Sequence, residues 1–484
     1  MRRPGIGRRR ARVEGHEGGL GPDPELGWPG VQKAAFWTER AWWRRAGATS
    51  IALWGSAAIS VLGTIVVARE LGPSGYGSVV LAVAVVTLVA TFLDLTLEQA
   101  VVHHGFRALA AQDVGGLRTL LRIAFIVDLA LGLAVAALIV GLAEPLTHLI
   151  SGGELDPALV RIAALITLAS TIDGTTGAML LLADRPDLRG WVMFARSVIR
   201  LAALLLAVQV GGEREVVAAF ALAAACGTIV QVVVAWRVGW RHWQGSEAKG
   251  GVREWLRKLT PFGIYSSLTS SVEGVHSSLI PAVLGSVSSV GTVGVFSVAL
   301  FPVNLASLAT AGLRLVLFPE QARQAAEGDL QGLRRTIRGA TMIGLGIALP
   351  AAIAGWFLLP LLLPAIYSDQ FEDAILPARI LLIVSVIHLA VAWGKSFFPA
   401  IGRPAAQTAL QAAFAILIVA GMALLARHHG STGAAIAYTF TYAVTALPQW
   451  FLANRILGQE RRLPPATGAR GETAAGEARV PPLR

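Results

Sequence analysis

The sequence predicts an all-α polytopic membrane protein with about twelve transmembrane helices, arranged as two six-helix lobes that are parallel repeats. Three observations support this fold class: the apolar composition, an alternation of basic residues along the chain, and an internal repeat. The chain has 484 residues, of which 54% are hydrophobic and 15% are charged, and its mean hydropathy is +0.61. A soluble domain carries about 25% charged residues, so this chain lacks the charge to cover a surface that faces water.

Twelve apolar segments follow one another between short polar connections, and each is long enough for the roughly 20 residues that a span requires. The predicted spans are 47–68, 75–102, 120–142, 159–183, 190–210, 216–238, 259–284, 290–318, 337–366, 375–401, 405–426 and 433–452. These segments divide the chain into a basic disordered tail (1–46), an N-terminal lobe (47–238), a linker (239–258), a C-terminal lobe (259–456) and a second disordered tail (457–484).

Lysine and arginine alternate between the two sides of the membrane that these spans define. If the N-terminus is cytoplasmic, 32 of the 41 basic residues lie on the inner side, five lie on the outer side and four lie within spans. The positive-inside rule therefore predicts a cell (inner) membrane protein with both termini and the linker in the cytoplasm. The same rule, together with anionic lipid headgroups, accounts for the net charge of +11 without nucleic acid as a partner.

The two halves of the chain share a weak internal repeat. The segment 113–118 (Asp-Val-Gly-Gly-Leu-Arg) matches 329–334 (Asp-Leu-Gln-Gly-Leu-Arg) at an offset of 216. Gly77 matches Gly294 at 217, and Arg185-Pro186 matches Arg403-Pro404 at 218. Because an even number of spans separates the copies, the lobes share one orientation, which predicts an axis along the membrane normal and a binding site between them.

One motif resembles a known family. Residues 68–77 read Ala-Arg-Glu-Leu-Gly-Pro-Ser-Gly-Tyr-Gly, and 93–97 read Leu-Asp-Leu-Thr-Leu, with Thr96 where the family has glycine. This pattern resembles the polysaccharide (O-antigen-type) flippases of the multidrug/oligosaccharidyl-lipid/polysaccharide exporter superfamily. The motif residues are structural ones and comprise Gly72, Pro73, Gly75, Tyr76, Gly77 and Asp94.

The resemblance implies that the chain moves a polyprenyl-pyrophosphate-linked oligosaccharide from the cytoplasmic to the outer leaflet, for cell-surface polysaccharide biosynthesis. It also implies alternating access of two lobes around a central cavity. The expected partners are the lipid-linked oligosaccharide and membrane lipids, with membrane proteins of glycan assembly as further candidates.

Charged side chains within the predicted spans are the candidate site residues, because ionisable groups at bilayer depth usually face a partner or a watery cavity. Arg196 and Arg200 lie four residues apart on one helix face and offer two planar donor groups to one pyrophosphate. We expect the substrate-binding cations to be Arg196, Arg200, Arg314 and Lys395. The alternative is that they pair internally, for instance Arg200 with Asp128 or Asp173, and only hold helices together.

Acidic and histidine side chains within the spans are candidates for ion coupling. Glu273 and His276 are three residues apart on the seventh predicted span, among several serines and threonines that are equally typical of a wet cavity wall. Asp128 and Asp173 come near mid-membrane on the third and fourth spans. These four residues are therefore predicted to bind a proton or a cation during transport.

Two other functions compete with the flippase. A cation-coupled drug or metabolite antiporter of the same superfamily would favour acidic over basic cavity residues. A membrane enzyme of glycan assembly would need a long outer loop or an acidic pair in the first outer loop, and the predicted outer connections are short. We expect a protein that is not an enzyme and needs no cofactor or metal, since the sequence contains no P-loop, HExxH, nucleophile elbow or Rossmann fingerprint, and Cys226 is its single cysteine.

Overall fold

The computed structural model describes residues 40–93, 97–242, 255, 278–401 and 403–459. Throughout this part of the chain the regular secondary structure is helical. The chain divides at Gly47 into two units, and every contact discussed below lies within the second, Ala48–Arg484. Glu273, His276 and Asp94 lie outside the described residues.

The N-terminal lobe consists of seven described helices. They are α1 (Arg40–Leu93), α2 (Leu97–Ala110), α3 (Val114–Gly141), α4 (Ala143–Ser151), α5 (Pro157–Leu182), α6 (Pro186–Val210) and α7 (Glu213–His242). Proline occupies the first position of α5 and α6, where its missing N–H leaves no bond unmade. Asp156 caps α5, and the amide of Ala158 together with the guanidinium of Arg214 lowers the pKa of its carboxyl group.

The described helices of the C-terminal lobe follow the same plan. They are α8 (Ser278–Val287), α9 (Val290–Ala299), α10 (Phe301–Ala326), α11 (Leu330–Tyr367), a 3₁₀ helix (Asp369–Ala374), α12 (Ile375–Ala390), α13 (Gly394–Ala400) and α14 (Pro404–Gln459). Their outward faces expose large apolar side chains such as Phe357, Ile416 and Leu424, each more than 70% exposed. Such surfaces fit lipid and not water.

Eight helical segments are long and apolar enough to cross a membrane, and the bent pair α9–α10 makes a ninth. Helices α1 and α14 each contain two spans, because 43 and 52 apolar residues far exceed the thickness of a bilayer. Gly72 breaks α1 and Gly430 breaks α14, both with positive φ. The described chain thus accounts for eleven of the twelve predicted spans, and most of the remaining one lies outside the described residues.

Two described helices differ from the predicted spans, each for a local reason. Helix α1 begins at Arg40, before the predicted span at residue 47, because backbone hydrogen bonding continues past the apolar stretch that set the prediction. The segment 290–318 is not one straight helix: α9 and α10 meet at a 46° bend beside Pro302, which lacks the N–H to continue the ladder.

The internal repeat predicts two equivalent helix starts, and both are present. The carboxylate of Asp113 accepts a hydrogen bond from the amide of Gly116 at 2.9 Å, and that of Asp329 accepts one from Gly332 at 2.8 Å. The preceding residues, Gln112 and Gly328, both adopt positive φ. The two segments share the capping aspartate, the glycine amide that it binds and the positive φ of the preceding residue. They are therefore structural repeats, as the sequence predicted.

Equivalent glycines of the two lobes contact each other. A Cβ atom on Gly77 would overlap the carbonyl oxygen of Val290, and one on Gly294 would overlap the carbonyl oxygen of Pro73. Val290 is itself the repeat equivalent of Pro73, at the same offset of 217. The residues that the two glycines face are thus themselves repeat equivalents, so the contact is reciprocal. This reciprocity locates a local two-fold axis between Gly77 and Gly294.

Among the described residues, the hydrophobic core that the two lobes share lies at one end. We call the end that carries Gly72, Gly211 and Gly430 the closed face, and the end that carries Asp113 and Asp329 the opposite face. Within the described chain, one buried hydrophobic cluster spans both lobes at the closed face. Toward the opposite face each lobe has a separate cluster of its own.

Polar contacts reinforce the closed face. The guanidinium of Arg69 donates to the carbonyl of Ala365 at 3.0 Å, and the Val290 amide donates to the carboxylate of Glu154 at 3.0 Å. The ring of Tyr76 meets that of Phe371 edge-on at 6.4 Å. Basic-residue counting predicts that this sealed face is the outer one.

The glycine contact predicts a specific way to open the closed face. We expect Gly77→Ala or Gly294→Ala to force the lobes apart there, because the new methyl group overlaps a backbone carbonyl that cannot rotate away. In a Cys226→Ala background, labelling of Leu81→Cys by a membrane-impermeant maleimide at the closed face should rise several-fold in oriented vesicles.

Gly141→Ala is the matched control, since a Cβ at that position meets nothing within 4 Å. Equal labelling of Leu81→Cys in the Gly77, Gly294 and Gly141 variants would show that the glycine contact does not seal this face.

Candidate functional site

A polar cavity of about 260 Å³ lies inside the N-terminal lobe. We call it the N-lobe cavity. Its lining residues are Leu97, Glu98, Asp128, Ser170, Thr171, Asp173, Gly174, Arg189, Met193, Arg196 and Gln231. Three carboxylates face two guanidinium groups in this set, so the described lining carries one more negative than positive formal charge.

Asp173 and Arg196 form the central ion pair of the N-lobe cavity. The guanidinium of Arg196 donates to the carboxylate of Asp173, which also accepts from the Thr228 hydroxyl at 3.0 Å. Arg196 donates further to the Gln231 side chain at 3.3 Å and packs against Gly227, where any larger residue would displace it. Arg196 therefore forms the internal ion pair that was the predicted alternative to substrate binding. Among the described residues, Arg200 forms no such pair.

Asp128 is the most deeply buried acid of the N-lobe cavity, with 2% of its surface exposed. Its carboxylate accepts hydrogen bonds from both the hydroxyl and the amide of Thr175 on α5. Near the opposite face, Arg189 donates to the carboxylate of Glu98 at 2.7 Å. The two acids that the sequence proposed for ion coupling, Asp128 and Asp173, therefore share one cavity with Glu98.

The four predicted substrate-binding cations do not converge on one cavity. Arg200 shares the helix face of Arg196, but its guanidinium donates to the Ser60 hydroxyl of α1 and lies 6.0 Å from the ring of Phe220. Lys395 lines a second cavity, whose described lining comes mostly from the C-terminal lobe and also includes Tyr76 and Val80 of α1. Arg314 belongs to α10, and its side chain is outside the described part of the structure.

The second cavity, which we call the C-lobe cavity, measures about 660 Å³. Its polar lining consists of four carboxamides (Asn304, Gln407, Gln411, Gln449), five hydroxyl residues outside the aromatic wall (Tyr76, Ser297, Ser307, Thr310, Thr445), His388 and Lys395. Its aromatic wall consists of Phe414, Tyr438 and Tyr442 of α14. Among the described lining residues there is no carboxylate.

His388 connects two walls of the C-lobe cavity. Its Nε2 lies 3.0 Å from the Thr310 hydroxyl of α10, and its Nδ1 lies 2.6 Å from the Tyr442 hydroxyl of α14. The imidazole ring is 8% exposed and packs 5.7 Å from the Tyr442 ring. These two hydrogen bonds hold the Tyr442 ring in one orientation within the cavity.

The two cavities are repeat equivalents with different chemistry. At the offset of 218, seven lining positions of one cavity correspond to lining positions of the other. These pairs are Ser170/His388, Asp173/Val391, Gly174/Ala392, Arg189/Gln407, Met193/Gln411, Arg196/Phe414 and Gln231/Gln449. Charged residues of the first lobe are thus replaced by aromatic, aliphatic and amide residues in the second.

Sequence reasoning missed several residues of these cavities. Arg189 was assigned to a connection, but one further turn of α6 brings it to Glu98. His388, Gln407, Tyr438 and Tyr442 are uncharged and gave no signal in a search for charges within spans. The sequence signal that could have found the residues of α14 is their spacing. Polar and aromatic residues recur there in two series, every three or four positions, which places each series on one face of a helix.

The Asp173–Arg196 pair predicts a loss of stability when its anion is neutralised. Asp173→Asn should lower the free energy of unfolding by about 2 kcal/mol, below the roughly 3–5 kcal/mol of a fully buried broken pair, because both side chains keep about a fifth of their surface exposed. Denaturant titration in detergent measures this change.

Arg161→Ala is the control, since the Arg161–Glu144 pair is 46% and 68% exposed and should contribute less than about 1 kcal/mol. If the two variants lose the same stability, Asp173 does not hold Arg196.

Comparison with known proteins places this geometry in context. A family model described as "Polysaccharide biosynthesis protein" matches residues 43–324, which is more than half of the chain. No curated protein sequence matches significantly.

Solved structures with the same fold are transporters and flippases. An inward-facing multidrug resistance MATE family transporter of the MOP superfamily aligns with a TM-score of 0.70 and 16% identity, over 84% of this chain and 95% of that one. The outward-facing conformation of such a transporter aligns with a TM-score of 0.59 and 16% identity, over 87% and 96%. The lipid II flippase MurJ in an inward closed conformation aligns with a TM-score of 0.66 and 12% identity, over 84% and 87%.

At these identities the structural likeness establishes the fold alone, an all-α membrane transporter of two lobes. The match of the family model covers the whole N-terminal lobe, including both broken halves of α1 and the N-lobe cavity. On this evidence the chain is a multi-pass membrane protein that belongs to the polysaccharide biosynthesis protein family of MOP-superfamily flippases and transporters.

Proposed function

We propose that this protein flips a polyprenyl-pyrophosphate-linked oligosaccharide from the cytoplasmic to the outer leaflet of the cell membrane, for cell-surface polysaccharide biosynthesis. The family match supports this substrate class, and the hydrophobic cluster that joins the described parts of both lobes at the closed face supports alternating access. The substrate enters between the lobes from the opposite face. It leaves when the closed face separates about the axis between Gly77 and Gly294.

The observation that carries the proposal is the chemistry of the C-lobe cavity. Its volume of about 660 Å³ falls within the range of roughly 300–1,000 Å³ that is usual for ligand pockets. Lys395 is the charged residue of its described lining, which holds no carboxylate. This combination suits an anionic headgroup, whereas a pocket for organic cations would pair its aromatic rings with acidic side chains.

The N-lobe cavity has a separate role in this proposal. At about 260 Å³ it holds several waters of roughly 30 Å³ each, but not a sugar chain. Its excess of carboxylates fits a proton or a metal cation as the coupling ion, bound by Asp128 and Asp173. Neutralising Asp173 releases Arg196, which then becomes available to the pyrophosphate between the lobes.

The membrane potential contributes to the same transport step. Moving a doubly charged pyrophosphate outward across a potential of about 100 mV, negative inside, gains roughly 4–5 kcal/mol, because the potential drives anions outward. Coupling through Asp128 and Asp173 adds to this gain, and both terms favour export. No covalent chemistry on the substrate is involved, so the protein acts as a transporter and not as an enzyme.

A cation-coupled drug or metabolite antiporter of the same superfamily is the second candidate function. The acidic excess of the N-lobe cavity favours it, because a small cationic solute and a coupling cation are attracted alike. A flippase requires the C-lobe cavity to accept an anionic headgroup, whereas the antiporter requires it to accept a cationic solute. Replacing Lys395 therefore distinguishes the two functions.

We expect deletion of the gene to cause a lipid-linked oligosaccharide to accumulate in the inner leaflet and to stop its export. In complementation, Lys395→Ala should lower export by about tenfold, equivalent to about 1.4 kcal/mol of transition-state stabilisation. Lys395→Arg should restore most of it, because the positive charge is kept. The measurement is surface glycan together with the accumulated lipid.

Arg335→Ala is the control, since it removes the same charge from an exposed position on α11. Normal glycan export in the deletion strain, combined with increased sensitivity to cationic drugs, would contradict the flippase and support the antiporter.

A further inference from the structure

We propose that the wall of the C-lobe cavity formed by α14 is the subsite that binds the sugar residues of the substrate. The inference rests on the proposed function and deepens it. It assigns the oligosaccharide to the C-terminal lobe, and it names the aromatic and amide side chains that recognise it.

The wall is built from two faces of one broken helix. Before Gly430, Gln407, Gln411 and Phe414 recur at spacings of four and three residues, which places them on one helix face. After Gly430 the chain reverses direction, and Tyr438, Tyr442 and Gln449 lie on the face that meets them. The break at Gly430 therefore brings an amide series and an aromatic series together in one cavity.

The aromatic rings form a continuous surface. Phe414 lies 5.8 Å from Tyr438 and 6.0 Å from Tyr442, edge to face in both cases, and the two tyrosine rings stack at 6.2 Å. Pyranose rings present faces of C–H groups that pack against aromatic rings. The hydrogen bond between Tyr442 and His388 fixes the Tyr442 ring before any ligand arrives, which lowers the entropy cost of binding.

The amides supply the complementary polar groups. Each carboxamide offers both donors and an acceptor, and a sugar hydroxyl likewise donates and accepts. Gln407 is 9% exposed, and its Oε1 atom has no hydrogen-bond partner among the described residues. A buried acceptor left without a partner is costly, so this atom marks a position that a ligand hydroxyl would satisfy.

The same features argue against other ligands. An acyl chain would leave the four carboxamides unsatisfied, and an organic cation would meet the positive charge of Lys395 in a described lining that holds no carboxylate. A neutral or anionic ligand rich in hydroxyl groups satisfies both the rings and the amides. Since Lys395 lines the same cavity, the pyrophosphate and the first sugars of one substrate can occupy it together.

The repeat shows that this wall is specific to the C-terminal lobe. At the equivalent positions the N-terminal lobe has Arg189 in place of Gln407, Arg196 in place of Phe414 and Phe220 in place of Tyr438. Two of these three substitutions replace a sugar-compatible group by a charge. One repeat unit has therefore diverged into an ion-binding lobe and a sugar-binding lobe.

The test compares two ligands on purified full-length protein in nanodiscs. The first is the lipid-linked oligosaccharide that accumulates in the deletion strain, and the second is bare polyprenyl diphosphate. We expect Tyr438→Ala to weaken binding of the first about tenfold, the order of a lost ring–ligand contact, and Gln407→Ala to weaken it about fivefold, the order of a lost hydrogen bond. Binding of bare polyprenyl diphosphate should stay unchanged, which also shows that the variants are folded.

Phe440→Ala is the matched control, because Phe440 lies on the same helix but is 64% exposed outside the cavity lining. Equal weakening of both ligands, or of neither, would overturn the sugar subsite while leaving the flippase intact. If no lipid-linked oligosaccharide accumulates in the deletion strain, the proposed function fails and the subsite fails with it.

Discussion

The contact between Gly77 and Gly294 is the constraint on which the architecture depends. Two backbones approach there so closely that neither position has room for a side chain, and the carbonyls of Pro73 and Val290 occupy the space. Close backbone approach is a common way for membrane helices to associate, since lipid supplies no hydrophobic force between them. Because the contact is reciprocal, it also defines the axis about which the lobes are related.

The position of this contact determines where the protein can open. One hydrophobic cluster joins the lobes around the glycines, whereas the clusters near Asp113 and Asp329 remain separate. A pair of rigid lobes that adheres at one end separates at the other with little loss of packing. Among the described residues, Arg69 and Glu154 form hydrogen bonds across the closed face, and the first bond is exposed while the second is partly buried. They can be exchanged for water when that face opens.

The two lobes share their backbone plan but not their chemistry. Equivalent positions hold an ion pair between Asp173 and Arg196 in one cavity, and Val391 and Phe414 in the other. A small charged cavity favours an ion, and a larger cavity of rings and amides favours an organic ligand. A symmetric scaffold thus encloses two cavities whose described linings differ in size and in charge.

Composition and charge alternation by themselves determined the fold class, and the repeated segments 113–118 and 329–334 indicated two equivalent lobes, because these properties depend on the local chain and on its transfer into lipid. The sequence also placed the charged residues Asp128, Asp173 and Arg196 within spans. Only the tertiary structure decided that Asp173 pairs with Arg196, that Arg200 turns to Ser60, and that His388, Gln407 and Tyr438 form a cavity. The rotation of each helix about its axis sets these contacts, and that rotation follows from packing against neighbours that are distant in sequence.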